Sequence, residues 1–510
     1  MTVLAQALDA AVDTPRVDWL AIAPETVLFG AAVAIVLGRA LARRRPLVDE
    51  ASFLTALVGV VAAGVFTFVQ WVVVDGDGPY QAIAGMVAVD GFAVFVRTVV
   101  LIATFLGLLL SAGYLRREGL EAPEYHALML CSATGMMLMA SANDLIVVFL
   151  ALEILSIALY VLVAFDRRRV TSQEAGLKYF LLGSFSSAVL LYGIALVYGG
   201  TGTTNLTRIA RFLAGTTLLE EGVLLTGLVL MLVGLGFKVA AAPFHMWAPD
   251  VYQGSPTPVV SFMGGATKAA AFAAILRVYA GAFELYRVDW RPAVWALAVL
   301  SLVVGSVAAL VQTDVKRMLA YSSVAHAGYV LIGVQVGNEA GTTAALYYVM
   351  AYTLMVFGAF AVVTVVGRRG DRRHELADYR GLAGAQPVLA ALLTLFLLAQ
   401  AGVPLTGGFV AKLSVFDAAV DAGQYWLALV GMLAAAVSAF VYLRIVLAMY
   451  APEDDGPAVA ARPVRVDLAA AVALAIAAAG VLFLGLLPDV VLDFARDATQ
   501  LLAAGGRAGA

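Results

Sequence analysis

The sequence is poor in charge, and this shortage excludes a soluble protein. Charged residues make up 13% of the 510 residues, whereas 62% are hydrophobic. Soluble domains carry roughly 25% charged residues, so this chain cannot cover itself with enough polar surface and belongs in a lipid bilayer. The net charge of −3 is small, and no basic run suggests a nucleic-acid partner.

Cysteine and histidine are also scarce. The single cysteine, Cys131, excludes an intrachain disulfide and a thiolate metal cluster. No pair of histidines has the spacing of a metal site, so we expect no metal on this chain. The four histidines are His126, His245, His326 and His374. The N-terminus carries Asp9 and Asp13 and no basic segment, so it does not resemble a cleaved signal peptide.

Long apolar runs between short polar breaks predict an all-α polytopic membrane protein with about fourteen transmembrane helices. Helices are required because a lipid-exposed backbone must satisfy its own hydrogen bonds, and the short alternating segments of a barrel are absent. The predicted spans are 18–41, 51–74, 89–114, 124–142, 144–165, 172–198, 223–243, 257–281, 291–312, 315–336, 340–366, 385–403, 425–450 and 466–487.

The distribution of Arg and Lys between the connections predicts the orientation. Connections after odd-numbered spans carry 18 basic residues, whereas the opposite side, including both termini, carries 7. Basic residues are enriched on the cytoplasmic side of membrane proteins. Both termini are therefore expected on the outer side of a bacterial cell membrane.

Lysine is rare, and its positions are unusual. Only five of the 32 basic residues are lysine, and four of these lie inside predicted spans or at their breaks: Lys178, Lys238, Lys268 and Lys412. Arginine keeps its proton in proteins, whereas a buried lysine can lose it. These four are the predicted proton-exchanging sites. For Lys178 there is an alternative, because a lysine near a helix end can extend its aliphatic side chain so that its ammonium lies at the membrane–water interface. The fifth lysine, Lys316, is counted among the connection charges.

One carboxylate and two histidines complete the candidate set. Glu153 lies near the centre of the span 144–165. A carboxylate inside the membrane costs free energy, so its presence there indicates a function. A structural ion pair is the alternative. Lys178 in the next span is its expected partner. His245 and His326 are possible proton relays, or else buried histidines with satisfied hydrogen bonds.

Prolines interrupt two of the spans. Pro243 follows Lys238 by five residues, and Pro404 precedes Lys412. Proline frees a helical carbonyl, and such backbone is tolerated where it lines a cavity inside the protein. Ordinary proline kinks are the alternative.

The two breaks are about 160 residues apart, and each falls in the fourth span of a five-span set, which predicts two inverted repeats in one membrane domain, 1–510. The predicted parts are three N-terminal helices in 1–123, the repeats 124–281 and 291–450, and a last helix with a short tail in 466–510.

Three tracts carry a family resemblance. The segments 237–258, FKVAAAPFHMWAPDVYQGSPTP, and 314–323, DVKRMLAYSS, closely resemble the antiporter-like membrane subunits of respiratory complex I. The segment 175–187, AGLKYFLLGSFSS, resembles the subunit N branch, the bacterial counterpart of mitochondrial subunit 2. Sodium/proton antiporter subunits and hydrogenase-linked membrane subunits are related alternatives, and a structural membrane scaffold is an alternative of another class.

The resemblance implies a function and a set of partners. It implies proton translocation through residues that match the charged axis of the family: Glu153, Lys178, Lys238, Lys268 and Lys412. It implies that NAD, flavin, iron–sulfur clusters and quinone are bound by partner subunits and that this chain binds no cofactor. The expected partners are the other membrane subunits of complex I, the lipid bilayer and protons.

Overall fold

A computed structural model describes residues 17–42, 46–216, 221–372, 374–452 and 465–507. These residues form nineteen α-helices and one short hairpin. The helices are α1 (Ala23–Ala42), α2 (Pro46–Asp77), α3 (Gly91–Glu118), α4 (Pro123–Ser141), α5 (Leu145–Val163), α6 (Val170–Thr201), α7 (Leu206–Gly215), α8 (Gly222–Lys238), α9 (Trp247–Gly254), α10 (Thr257–Ile275), α11 (Arg287–Leu310), α12 (Val315–Val336), α13 (Glu339–Val366), α14 (Leu382–Ala385), α15 (Pro387–Ala401), α16 (Gly407–Asp421), α17 (Tyr425–Tyr450), α18 (Leu468–Leu486) and α19 (Pro488–Arg507). A π-helical turn, Leu276–Ala282, continues α10.

The prediction of an all-α polytopic membrane protein is confirmed. Within the described part of the chain, eleven helices are long and apolar enough to cross a membrane. The remaining three predicted spans correspond to α4, α8 and α15, of which α8 and α15 are shorter apolar helices.

The predicted boundaries are wrong at the two breaks. The span 223–243 ends already at Lys238, and the chain resumes as α9 at Trp247. The span 385–403 ends at Ala401, and α16 follows as a second helical segment. Hydropathy missed both ends because the residues at the breaks are as apolar as the helices that they interrupt.

Several elements lie outside the predicted spans. Tyr80–Ala82 and Val87–Val89 pair as an antiparallel hairpin, α7 has 10 residues and α19 has 20 residues, and α9, α14 and α16 are further helices. The segment that the sequence assigns to a short tail after the last span contains α19. This helix has a polar face, which hides it from a hydropathy search, and an apolar face that packs on α3 and α13.

Two helices form the centre of the molecule. α10 and α13 are buried on every side, whereas α2, α6 and α17 leave much of their apolar surface exposed. A helix that is apolar all round is expected in the interior, and exposed apolar surface on the outer helices suits contact with lipid or another subunit. Lys268 lies on α10 and is therefore central.

Buried arginines link the N-terminal helices to the rest. Arg97 on α3 is fully buried and lies 2.6 Å from Glu25 on α1. Arg277 in the π-helical turn donates to both carboxylate oxygens of Asp90, at 2.7 and 2.8 Å. Each charge has a partner, as burial requires, so these arginines are structural.

Candidate functional site

The first lysine site lies where α8 ends. Lys238 is the last residue of α8, and its Nζ donates to Ser156 Oγ at 2.8 Å and to Tyr179 Oη at 3.0 Å. The ammonium also lies 5.0 Å from the centre of the Tyr179 ring. Trp247 at the start of α9 links the two sides of the break, because its indole N–H donates to the carbonyl of Phe237 in the last turn of α8 at 2.9 Å. A helix C-terminus with free carbonyls favours a cation, so the end of α8 helps to hold Lys238.

The second lysine site lies in the middle of α10. Lys268 Nζ donates to the backbone carbonyl of Ser323 on α12 and lies 5.3 Å from the centre of the Tyr352 ring on α13. The helices are close here because Gly265 lacks a side chain; an added Cβ would lie 2.7 Å from Thr353. The tight packing keeps Lys268 away from the surface.

The third lysine site lies at the second break. α15 ends at Ala401, and Lys412 on α16 donates to the freed carbonyl of Ala401 at 2.8 Å. Lys412 Nζ also lies 4.9 Å from the centre of the Tyr329 ring. Gly408 makes this geometry possible, since a Cβ there would lie 1.8 Å from the carbonyl oxygen of Ala399.

These three lysines are buried without a counter-ion. Their exposed fractions are 2, 4 and 5% for Lys238, Lys268 and Lys412. None lies within 4.0 Å of a carboxylate in the described ranges; hydroxyls, carbonyls and aromatic rings surround them instead. An ammonium held this way has no carboxylate in direct contact to keep its proton, so these sites have the chemistry to accept and release one.

Aromatic and hydroxyl side chains join the first site to the second. The ring of Tyr179 stacks on Trp247 with centroids 4.6 Å apart, and Trp247 lies 6.3 Å from Tyr252. The Tyr252 hydroxyl is 3.3 Å from Ser323 Oγ, and the carbonyl of Ser323 holds the lysine of the second site. All four residues are buried.

A second set of rings joins the second site to the third. His326 lies between Tyr352 and Tyr329, with ring centroids 4.8 and 5.8 Å away. Its Nδ1 lies 2.8 Å from the Tyr348 hydroxyl, and its Nε2 lies 3.1 Å from the Tyr442 hydroxyl. Buried side chains in ring contact or hydrogen-bonded to one another therefore lie between Lys238, Lys268 and Lys412, and we call this series, with its three lysines, the lysine axis.

The structure does not bring Glu153 and Lys178 together as expected. Lys178 lies 2.6 Å from Asp250 and 2.7 Å from Glu174, and its side chain is 42% exposed. Glu153 lies one helical turn before Ser156 on α5, near the first site, and its buried Oε1 has no hydrogen-bond partner in the described ranges. The expected pair is replaced because the side chain of Lys178 extends toward the start of α9.

The two candidate relay histidines differ in position. His326 is part of the lysine axis. His245 lies at the first break, 6.2 Å from the ring of Tyr321, and its Nδ1 is buried without a partner among the described residues. The prolines of the breaks, Pro243 and Pro404, are both exposed at the outer surface of the bundle.

The structure reveals a charged cluster that the sequence reading missed. Asp371, in the connection after α13, is 1% exposed and accepts from Thr257 at 2.8 Å and from Arg169 at 3.0 Å. Lys316, which was counted as a connection charge, is fully buried 3.7 Å from Asp371. Burial alone would raise the pKa of Asp371, but the cations around the carboxyl hold its pKa well below the usual range. The remaining partners of Asp371 are Tyr114 and His374.

A cavity of 560 Å³ opens beside this cluster. Its lining includes Asp371, the start of α6, and Gln253 and Gly254 at the end of α9. At its rim, Asp250 accepts from Lys178 and, at 2.7 Å, from Arg317. α9 therefore reaches from the lysine axis to a polar cavity on the side of the odd-numbered connections. Among the described residues, no group of three or more His, Cys, Asp or Glu could hold a metal ion.

The family model for the transmembrane domain of NADH:quinone oxidoreductases and Mrp antiporters matches residues 142–438, which contain the whole lysine axis. The chain belongs to this family. A relative from Trichlorobacter lovleyi named NADH-quinone oxidoreductase subunit N is 44% identical over 451 residues, 88% of this chain and 90% of that protein. The resemblance to the subunit N branch is thus confirmed.

Solved structures of the family share this fold. A chain of respiratory complex I from Thermus thermophilus is 36% identical, with a TM-score of 0.77 over 92% of this chain and 98% of that chain. A chain of the Mrp complex from a Dietzia species has a TM-score of 0.83, covers 96% of this chain and 98% of that chain, and is 24% identical; this likeness concerns the fold alone. This fold is therefore shared with a chain of respiratory complex I and a chain of an Mrp complex.

Proposed function

We propose that this chain carries protons across the membrane along the lysine axis, as the subunit N of an NADH–quinone oxidoreductase. One observation carries the proposal: three lysines lie buried without a carboxylate within 4.0 Å among the described residues, and a series of hydroxyl and aromatic side chains lies between them. Packing alone does not need such charges, because a buried charge without a partner lowers stability.

Protons enter, in this proposal, through the cavity at the end of α9. The cavity lies on the side that the basic residues assign to the cytoplasm, and Gln253 in its lining adjoins Tyr252 on the axis. Protons then pass from Lys238 to Lys268 and reach Lys412 beside the second break. In this proposal Lys412 is the last lysine of the axis, so release toward the opposite side starts from its Nζ.

Glu153 is proposed to couple the axis to a neighbouring subunit. Its helix, α5, exposes Leu150, Ile154 and Ile157 on the outer side, and Glu153 is only half-buried between that side and the first site. A change of charge in a neighbouring subunit that contacts α5 would thus act on Lys238 through Glu153. Because these groups interact, their titrations would be coupled.

The remaining assignments concern location and partners. The chain is proposed to lie in the bacterial cell membrane with both termini on the outer side, and to contain inverted repeats over 124–281 and 291–450. The break in the fourth membrane helix of each set supports the repeats. Its partners are proposed to be membrane subunits of complex I, lipid and protons, with NAD, flavin, iron–sulfur clusters and quinone on other subunits.

Neutralising each lysine of the axis tests the proposal. Lys238→Met, Lys268→Met and Lys412→Met should each slow proton translocation in membrane vesicles that contain the assembled complex, because methionine can neither bind nor release a proton. Arg167→Gln, an exposed charge away from the axis, is the control and should pump normally. Normal pumping by all three variants, with normal subunit content, would instead indicate a structural scaffold.

A further inference from the structure

Four arginines surround a second cavity, of 380 Å³, where α3 and α13 end and α18 begins. They are Arg117, Arg368, Arg369 and Arg465. Asp467 also lines the cavity, so four positive charges and one negative charge give the lining a net charge of +3. This cavity is separate from the one beside α9 and plays no part in the proposed proton path.

The positive charges are only partly neutralised within the chain. Arg117 pairs with Glu118 at 3.0 Å. Arg369 and Arg465 are exposed, and neither forms an ion pair with a carboxylate in the described ranges. Like charges around one cavity repel each other, and an anion between them relieves that repulsion. Guanidinium groups match the oxygens of a phosphate in two-pronged hydrogen bonds.

The floor of the cavity is apolar. Leu110, Val365 and Ala470 line it, and each lies on the apolar part of a helix that is long enough to cross the membrane. The cavity therefore combines a charged rim with an apolar floor. A phospholipid has both of the matching parts, whereas a free phosphate ion has only the charge.

We propose that this cavity binds an anionic phospholipid, with its phosphate held by the arginines and the start of its acyl chains on the apolar floor. The site adjoins the Asp371 cluster: Tyr114 lines the cavity, and its hydroxyl donates to Asp371 at 3.4 Å. Glu118, the partner of Arg117, also accepts from the backbone N–H of Gly370 at 2.8 Å. A bound lipid thus stabilises the connection that carries Asp371.

Photo-crosslinking tests the proposal on the complete complex. The purified complex is incorporated into phosphatidylcholine nanodiscs that contain photoactivatable phosphatidylglycerol, and the labelled peptides of this chain are identified. We expect label within 110–117 and 364–369. Unlabelled phosphatidylglycerol should displace it, whereas extra phosphatidylcholine and inorganic phosphate should not.

Paired variants show whether the arginines cause the binding. Arg369→Gln with Arg465→Gln should reduce the labelling at least tenfold, whereas the same residues changed to Lys, which keep the charge, should retain most of it. Arg116→Gln with Arg167→Gln removes two exposed charges outside the cavity and should leave the labelling unchanged. All variants are compared at equal content of this chain in the complex.

Three results would overturn the proposal. If Arg369→Gln with Arg465→Gln and the control pair lose the same amount of labelling, the lipid is attracted to the basic surface in general and not to this cavity. Displacement by inorganic phosphate would mean a site for a soluble anion. Absence of label from both segments in the complete complex would mean that another subunit covers the cavity.

Discussion

Asp371→Asn should destabilise the chain, because it leaves the fully buried ammonium of Lys316 without its closest negative charge. At 3.7 Å and an effective dielectric constant of about 20, the attraction is about 4.5 kcal/mol. This agrees with the roughly 3–5 kcal/mol lost when one partner of a buried pair is removed. With an unfolding entropy of about 2.1 cal/mol/K per residue, a chain of 510 residues should lose roughly 4 °C in apparent Tm.

The assay follows how much of this chain stays in the soluble complex after heating, measured by immunoblot. The double variant Asp371→Asn with Lys316→Met should recover about 2 °C, because no buried ammonium is then left unpaired. Since the pKa of Asp371 is depressed in the folded chain, its contribution is present at neutral pH and is lost only as the pH falls through that folded pKa. The decrease in apparent Tm caused by Asp371→Asn should therefore be the same at every pH between about 6 and 8.

Asp421→Asn changes an exposed carboxylate and is the matched control, expected to leave the Tm unchanged. Losses that simply add in the double variant would show that Asp371 and Lys316 do not act as a pair, and the reasoning about this cluster would be refuted.

Two further predictions concern the lysine axis. Tyr179→Phe removes one of the two hydrogen bonds to Lys238 Nζ and should slow proton translocation several-fold, equivalent to about 1 kcal/mol; an unchanged rate in vesicles of matched content would place Tyr179 outside the path. Because Lys178 contacts Asp250 and not Glu153, the losses in Glu153→Gln and Lys178→Met should add within about 0.5 kcal/mol. A double variant that pumps better than the worse single variant would show that the two residues act as a pair after all.

Much of the membrane fold was predictable because it depends on local properties. Hydropathy located the eleven membrane-length helices of the described residues, and Pro243 and Pro404 located the breaks. The hairpin was missed because its strands have only three residues each. α7 was missed because its ten residues are too few for a membrane span, although Leu206, Ile209 and Leu213 recur on one face of the helix. α19 was missed because successive turns carry Asp489, Asp493 and Asp497, which lower the mean hydropathy of a helix that nevertheless packs on the bundle.

The site was predictable in its charges but not in their partners. Lys268 is recognisable in the sequence because a lysine inside an apolar run is rare. Tyr352 and Tyr329 resemble ordinary core aromatics. Only the packing of α10 on α13 and of α12 on α16 places them beside lysines. Asp371 and Lys316 resemble connection charges, since their burial comes from tertiary contacts between distant segments.

The substitution Lys268→Arg tests the central claim most directly, because it keeps the positive charge but removes the ability to release a proton. Proton translocation per quinone reduced is measured in vesicles with equal content of the assembled complex. If Lys268 must exchange its proton, the ratio should fall about tenfold or more, equivalent to at least about 1.4 kcal/mol, and Lys268→Met should be similarly impaired. Normal translocation in Lys268→Arg, together with loss in Lys268→Met, would show that only a fixed charge is needed there and would contradict a proton path through this lysine.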